Sequence, residues 1–420
     1  MKDICLIIPP APFLGDQKRN CPLGILYIAA YLEACGVDVC VADLRGMQYV
    51  EICKIPKAKW YGLGATTPEY IWALDIAKHM RIAHPCKIIL GGSHATAIPE
   101  SIDPVFDHVV TGEGETAALA IVKGYNTGRI VRHPFINRLD DIPFPARHLL
   151  PRSSVVSDKL CMPGVLATTM MISRGCAYDC SFCSSKSMWG RRLRYRSVSN
   201  VISEIKDIIQ KYNVYCFRFQ DDTMTINRPW VENFCEEVKK ANLNILWRVN
   251  TRIDNAELHI FERMKQAGCY EVGFGIEDPR DYVRKINNKQ IDPEMSYCAI
   301  ENARKAGLKT RIFLMIGLPG QDTHTAQTMI DYIERTQPDA VDVSTFVPFP
   351  GSDIYNNPMK YGFKMKDHSF SDYVFTVGLY KDELEKDFIY DHDIMTNEEL
   401  KNERRKILEY ISKRNLVFNR

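Results

Sequence analysis

The sequence predicts an α/β chain: an N-terminal doubly wound, Rossmann-like domain, then a partial (β/α)6 barrel of the TIM type and a short helical C-terminal tail. Two series of short apolar runs alternating with helical patterns, separated by a proline-rich interval, carry that reading. A third observation is where glycines and polar residues fall. They collect at the carboxyl ends of the apolar runs, the edge at which parallel sheets bind their ligands.

In the first 125 residues, 4–8 read as a strand, 24–35 as a helix and 37–42 as a second strand. Gly36 stands where a helix C-cap belongs, and the second strand ends in Asp43. Residues 61–66 form the next strand, 69–82 a helix, and 87–90 a strand ending in Gly91-Gly92. Residues 108–110 form a strand ending in Gly112-Glu113-Gly114, with helical signal resuming at Glu115. From 126 to 163 periodicity fades and prolines accumulate (Pro134, Pro143, Pro145, Pro151, Pro163), so the stretch reads as a linker. The second series, 164–350, has strands at 168–173, 216–220, 246–250, 271–276, 311–316 and 341–346. Helical patterns at 198–212, 229–241, 256–267, 293–306 and 323–336 fill its gaps. Six such units make an incomplete barrel. The extension over 351–420 turns irregular, ends in a charged helix near 397–414, and is assigned no chemistry.

Composition is that of an ordinary globular chain of 420 residues, 45% apolar and 25% charged. A formal net charge of +2 gives no field that demands nucleic acid or an anionic membrane. No run of about 18 apolar residues is present to span a bilayer, and the N-terminal apolar run is too short for a signal peptide, so a cytoplasmic location is expected. The 14 cysteines show no paired framework. One local group stands out.

The first barrel strand runs directly into Arg174-Gly175-Cys176-Ala177-Tyr178-Asp179-Cys180-Ser181-Phe182-Cys183, which sets three thiols on a loop at the strand's carboxyl end. Three soft thiolates fit one face of an iron-sulfur cube and leave one iron open. A zinc site ordinarily takes a fourth Cys or His nearby, and none lies within the next thirty residues, although His133 and His148 lie upstream. Three unligated core cysteines are the remaining alternative, poorly suited to a polar, Ser-rich loop.

CxxxCxxC with an aromatic before the last cysteine, on the first loop of a partial barrel, resembles the radical S-adenosylmethionine (SAM) superfamily, and the resemblance extends over the whole chain. It implies a [4Fe-4S] cluster on Cys176, Cys180 and Cys183, whose open iron is chelated by SAM, and a 5'-deoxyadenosyl radical formed by reductive cleavage. Phe182 would then lie beside adenine, against the alternative of core packing. Later strand ends resemble the branch of the superfamily with an N-terminal cobalamin-type domain. Gln220-Asp221-Asp222-Thr223 is similar to its paired-aspartate motif, and Arg252, after the third strand, could grip a carboxylate. Glu277 matches a glutamate suited to ribose hydroxyls or the ammonium of SAM, with Asp278 where a serine is usual. Gly317-Leu318-Pro319-Gly320-Gln321 and Pro348-Phe349-Pro350-Gly351-Ser352 match the last two loops. Residues 189–197 form the expected basic segment, or a solvated charge run.

The first domain resembles the cobalamin-binding module of that branch. The implied cobalamin crevice comprises Leu23, Gly24, Thr66, Gly91, Gly92, His94, Gly112, Glu113 and Gly114. The Asp-x-His-x-x-Gly sequence of many cobalamin proteins is missing, since Asp43 is followed by Leu44-Arg45-Gly46. His94 is read as hydrogen-bonded structure rather than an axial ligand. The resemblance implies a cobalamin-dependent methyltransferase acting on an unactivated carbon. The alternatives are a non-methylating cyclisation, ring rearrangement, coupling or oxidation, and, more remotely, a non-catalytic cobalamin- or zinc-binding protein. The expected partners are an unidentified substrate and an electron donor such as flavodoxin or ferredoxin.

Overall fold

The computed structural model describes residues 1–47, 55–83, 85–125, 128–289, 291–374 and 385–416. The first two residues of the expected linker, 126–127, lie outside them, as do 48–54 of the first domain and 375–384 and 417–420 of the C-terminal extension. None of the described helices is long and apolar enough to cross a membrane.

The first domain is a parallel sheet of β1 (Lys2–Ile8), β2 (Val39–Asp43), β3 (Ala58–Gly64), β4 (Lys87–Gly91), β5 (His108–Thr111) and β6 (Ile130–Arg132), in the order β2-β1-β3-β4-β5-β6. Helices α1 (Leu23–Ala34), α2 (Tyr70–Ala83), α3 (Ser93–Ala97) and α4 (Glu115–Val122) connect the strands. The order in which strands are added reverses between the parallel neighbours β1 and β3, so the connections leaving their carboxyl ends diverge and leave a crevice. The sheet extends beyond the expected boundary at 125. At three residues, β6 is too short to leave an alternating signal, and it pairs Val109 with Ile130 and Thr111 with Arg132.

The rest of the proline-rich interval is a buried bracket rather than a loose tether. Leu139, Ile142 and Leu150 are buried, together with Val155 at the end of α5 (Arg152–Val155), in one core with the barrel helices. Arg147, only 4% exposed, donates to Glu204 (2.5 Å) and to the Thr169 carbonyl (3.0 Å). Spaced apolar residues between prolines have no period, which is why the sequence reads there as a linker.

The barrel strands are β7 (Ala167–Met170), then β10 (Cys216–Phe219), β11 (Leu246–Thr251), β12 (Cys269–Glu277), β13 (Lys309–Ile316) and β14 (Ala340–Thr345), parallel in the order β14-β13-β12-β11-β10-β7. The expected first strand is interrupted: a two-residue piece, β8 (Ser173–Arg174), leaves the barrel and pairs antiparallel with β9 (Arg194–Tyr195). Between these two lie the cysteine loop and α6 (Ser185–Trp189). Helices α7 (Val198–Tyr212), α8 (Arg228–Lys240), α9 (Leu258–Gln266), α10 (Asp281–Ile286), α11 (Pro293–Lys305) and α12 (Thr325–Thr336) cover the outside. Amphipathic patterning drives that packing: Val201, Ile205 and Ile208 of α7 are fully buried along one face.

Past the barrel come α13 (Asp353–Asn356), an antiparallel pair β15 (Phe363–Met365) and β16 (Tyr390–His392), and α14 (Asn397–Lys413). Tyr390 donates to the Gly317 carbonyl at 2.8 Å, and the Glu403 side chain accepts from the Ala326 amide at 2.7 Å, so this extension is docked on β13 and α12.

Candidate functional site

Residues 175–184 form the cysteine loop, and the chain fixes it from several sides. Gly175 has φ +101, and a Cβ there would stand 2.4 Å from the Arg192 carbonyl oxygen, so only glycine fits the turn into Cys176. Asp221, 4% exposed, accepts from the backbone amides of Ile172 (3.2 Å) and Ser173 (2.6 Å) and from Ser173 Oγ (2.5 Å). It staples the strand end that launches the loop. Burial drives its carboxyl up to about 7, with these donors pulling the other way. Asp222 accepts from Ser185 Oγ at 2.6 Å just beyond the loop. The paired aspartates therefore brace the loop through its backbone and neighbours. Asn288 donates to the Asp179 carbonyl (2.7 Å), and the Ser181 amide to the Asn287 carbonyl (3.0 Å).

The three thiols are half-buried and carry donors directed at sulfur. The Ser185 amide lies 3.4 Å from Cys183 Sγ, and Arg252 Nη1 lies 3.8 Å from Cys180 Sγ. Burial pushes the Cys183 thiol up to about 12 and raises Cys176 as well. A bound metal would displace the proton and hold these sulfurs as thiolates. Among the described residues no three Cys, His, Asp or Glu side chains converge as one metal ion needs. In a cubane each thiolate has its own iron, so the three sulfurs need not meet on one ion. Donor chemistry and loop geometry fit a cubane.

Around the loop stand the other expected residues. Phe182 packs partly against the core, with Lys289 Nζ 5.9 Å from its ring centroid. Lys289 donates to Glu277 Oε1 at 2.7 Å; Glu277 itself has φ +64, a costly conformation for a non-glycine residue. Arg252 is clamped on Asp254 (Nε to Oδ1 3.1 Å) and stacks 3.5 Å from the Tyr178 ring centroid. Lys289 thus links Phe182 to Glu277, and Arg252 stands beside Cys180. Lys289 and Tyr178 escaped sequence reasoning. Tyr178 was visible as an aromatic inside the motif, but Lys289 follows no local signal.

A cavity of about 530 Å³ opens at the carboxyl edge of the first sheet and reaches the barrel. Leu23, Gly24, Thr66, Gly91, Gly92, Gly112, Glu113 and Gly114 line it, as expected, and Arg174, Met188, Trp189 and Gln220 close it from the barrel side. A Cβ added at Gly24 or Gly64 meets nothing within 4 Å, so these glycines face open space. Gly92, at φ +99, is required for another reason: a Cβ would sit 2.6 Å from the Ala65 carbonyl oxygen. The room and the largely apolar walls fit a bulky, flat cofactor with a long tail. Arg45 also lines the cavity. It is spent on Asp43 (2.8 Å from both Nε and Nη2) and on the Asn20 carbonyl (2.8 Å).

His94 departs from the expected crevice set. Its ring is fully buried away from the cavity, stacked 4.3 Å from Tyr70 and edge-on 4.6 Å from Phe370, with Nδ1 3.3 Å from Thr67 Oγ1. Burial lowers its pKa from 6.5 to about 4. A depressed folded value makes charging the ring oppose folding, so stability falls as pH drops from about 6.5 toward 4. In His94→Phe that part of the acid sensitivity is expected to vanish, with urea unfolding at stepped pH as the measurement.

The first domain and the barrel are tied by buried charge. Arg174 donates to Glu113 (2.9 Å) and Glu115 (2.7 Å), and Arg194 donates to Glu113 (2.9 Å). Arg196 likewise pairs with Glu204 inside the molecule. The basic segment 189–197 is therefore neither a uniform binding patch nor a solvated run: Arg194 and Arg196 point inward while Arg191 and Arg192 stay exposed, the alternation of an extended chain.

Residues 170–333 match the Radical SAM superfamily, and residues 19–122 match the B12 binding domain. The chain is similar to an uncharacterized methyltransferase of Pyrococcus horikoshii, 29% identical over 381 residues, which span 84% of this chain and 82% of that protein. It is also similar to the anaerobic magnesium-protoporphyrin IX monomethyl ester cyclase of Rubrivivax gelatinosus, 27% identical over 398 residues, or 86% of this chain and 70% of the relative. Among solved structures, the radical S-adenosylmethionine methyltransferase TsrM from Kitasatospora setae, with cobalamin and a [4Fe-4S] cluster bound, superposes with a TM-score of 0.68 at 15% identity. That match covers 88% of this chain and 81% of the other, and establishes a shared fold.

Proposed function

We propose that this chain, a radical SAM domain joined to a B12 binding domain, is a cobalamin-dependent radical SAM methyltransferase that acts on an unactivated carbon. The observation that carries the proposal is the shared cavity: its walls come from Gly24, Gly64 and Gly91 on one side and from Arg174, Met188 and Trp189, which flank the cysteine loop, on the other. When bound, the cluster and SAM supply a 5'-deoxyadenosyl radical that takes hydrogen from carbon, and cobalamin supplies the methyl group.

The chain's share is binding and alignment. Cys176, Cys180 and Cys183 would hold the cluster, and the amide of Ser185 together with Arg252 would stabilise sulfur charge through hydrogen bonds. The Glu277–Lys289 pair and Phe182 would flank the nucleoside position, with Lys289 buried and Glu277 and Phe182 half-buried beside it. Gly24, Gly64 and Gly91 would leave room for cobalamin along their wall of the cavity. Arg45, fully engaged by Asp43 and Asn20, offers it no ligand atom. An electron donor such as flavodoxin or ferredoxin in the cytoplasm delivers the electron.

The test is anaerobic reconstitution with iron, sulfide, hydroxocobalamin and SAM under a low-potential reductant. Methylation yields S-adenosylhomocysteine alongside 5'-deoxyadenosine. Deoxyadenosine alone would favour the second reading, a non-methylating radical reaction, which the cyclase relative recommends. Gly64→Phe tests the cavity directly, because the new ring fills space that is now open. Cobalamin retained after desalting is expected to fall to about a tenth of wild type or less, with the fold intact by circular dichroism.

A further inference from the structure

The inside of the barrel carries a charge that its own residues do not balance. Strand alternation separates the two faces. Phe217 and Phe219 of β10 pack outward, Phe219 lying 5.8 Å from Phe234 of α8, so Arg218 between them faces the interior. By the same alternation Arg248, Glu271, Arg311 and Asp342 face inward from β11 to β14. Four of these five charges cancel. Arg248 Nη1 lies 2.8 Å from Glu271 Oε1, Arg311 Nε lies 3.0 Å from the same oxygen, and Arg311 Nη1 lies 3.0 Å from Asp342 Oδ2. Arg218 is the fifth, and among the described residues it makes no ion pair.

What Arg218 does touch is informative. Its Nη1 stands 3.4 Å from Asn20 Oδ1, and Gln220 Nε2, two residues along the same strand, points at that same oxygen from 3.2 Å. Two donors converge on one neutral acceptor at the long limit of hydrogen bonding. Asn20 and Gln220 also line the cavity between the domains, so the convergence point adjoins that cavity. Arg218 and Gln220 both retain solvent access, unlike a packed barrel interior.

Resting on the radical SAM reading above, we infer that the substrate is an anion whose carboxylate or phosphate is held by Arg218 and Gln220, with Asn20 Oδ1 marking the oxygen position. A charged oxygen makes the shorter, charge-assisted bonds that the asparagine carbonyl cannot, and it supplies the missing counter-charge. The lone cation is otherwise a cost. Burial and the nearby Arg248, Arg19 and Arg311 charges push Arg218 down to about 10, well below its ordinary value.

The experiment uses the reconstituted holoenzyme with SAM saturating and inorganic phosphate or succinate as probe, at ionic strength held constant with chloride. Thermal unfolding of wild type is expected to shift upward with one of the two anions, which also assigns the anion class. Arg218→Gln is expected to need about tenfold or more of that anion for the same shift, and Arg218→Lys to fall between. Without added anion, Arg218→Gln should unfold no lower than wild type, since it removes a half-buried charge that has no ion-pair partner among the described residues. An absent response in wild type, or an equal response in wild type and Arg218→Gln, overturns the inference. Deoxyadenosine formation by wild type in the absence of substrate tests the radical reading separately, so the two can fail independently.

Discussion

Alanine at Cys176, Cys180 and Cys183 together is expected to reduce reconstituted iron from about four atoms per chain to near zero and deoxyadenosine formation to the uncatalysed background. Each single replacement should come close to the triple, because each thiolate serves a different iron. The fold should survive. The loop is anchored by contacts that do not involve sulfur, namely Asp221 on the Ser173 amide (2.6 Å), Asn288 on the Asp179 carbonyl (2.7 Å) and the Ser181 amide on the Asn287 carbonyl (3.0 Å). Circular dichroism and the wild-type urea midpoint check that the loss is chemical. Iron content and chromatographic detection of 5'-deoxyadenosine decide the matter. Continued SAM cleavage by the iron-free triple variant would sink the assignment.

What the sequence disclosed and what it hid divide along chain separation. The cysteine spacing, the glycines at the ends of β4 and β5, and the apolar runs of both sheets are local patterns, legible within a dozen residues. Everything that places the loop against the cavity is long-range. Glu113 reads as a crevice residue in Gly112-Glu113-Gly114, and it does line the cavity, but its carboxylate is taken up by Arg174 and Arg194, 61 and 81 residues away. Lys289 reaches Glu277 across a loop and α10, and Asp221 serves the backbone 48 residues upstream. His94 follows two glycines at a strand end, the position of a ligand contact, yet the short helix α3 turns it into the Tyr70–Phe370 packing. No local pattern reports which way a five-residue helix faces. The interval over 126–163 reads as a linker because β6 is three residues long and the buried leucines and isoleucine that follow it have no period.

Glu113→Gln is expected to destabilise the junction between the two domains by about 3–5 kcal/mol, the cost of removing one partner from a buried ion cluster. Glu113 receives Arg174 (2.9 Å), Arg194 (2.9 Å) and the Ile136 amide (2.6 Å), with its side chain 1% exposed. Burial alone would raise its carboxyl, but the Arg194 hydrogen bond and the Arg174 charge outweigh it and hold the group below 4.5. A carboxylate lowered in this way contributes stability above about pH 4.5, and that contribution is lost as pH falls through the folded value. Acidified wild type should therefore approach the variant. Glu115→Gln should cost less, since Arg174 keeps Glu113. Because Arg174 immediately precedes Gly175 and Cys176, the effect is not confined to stability. Hydrogen exchange is expected to rise at 112–115 and 174–176 together in Glu113→Gln, and Arg174→Met added to it should cost less than the sum of the single changes. Additive costs, or exchange that rises on one side alone, would mean that the domains are held by their apolar contacts and that this charge cluster does not align the cysteine loop with the cavity.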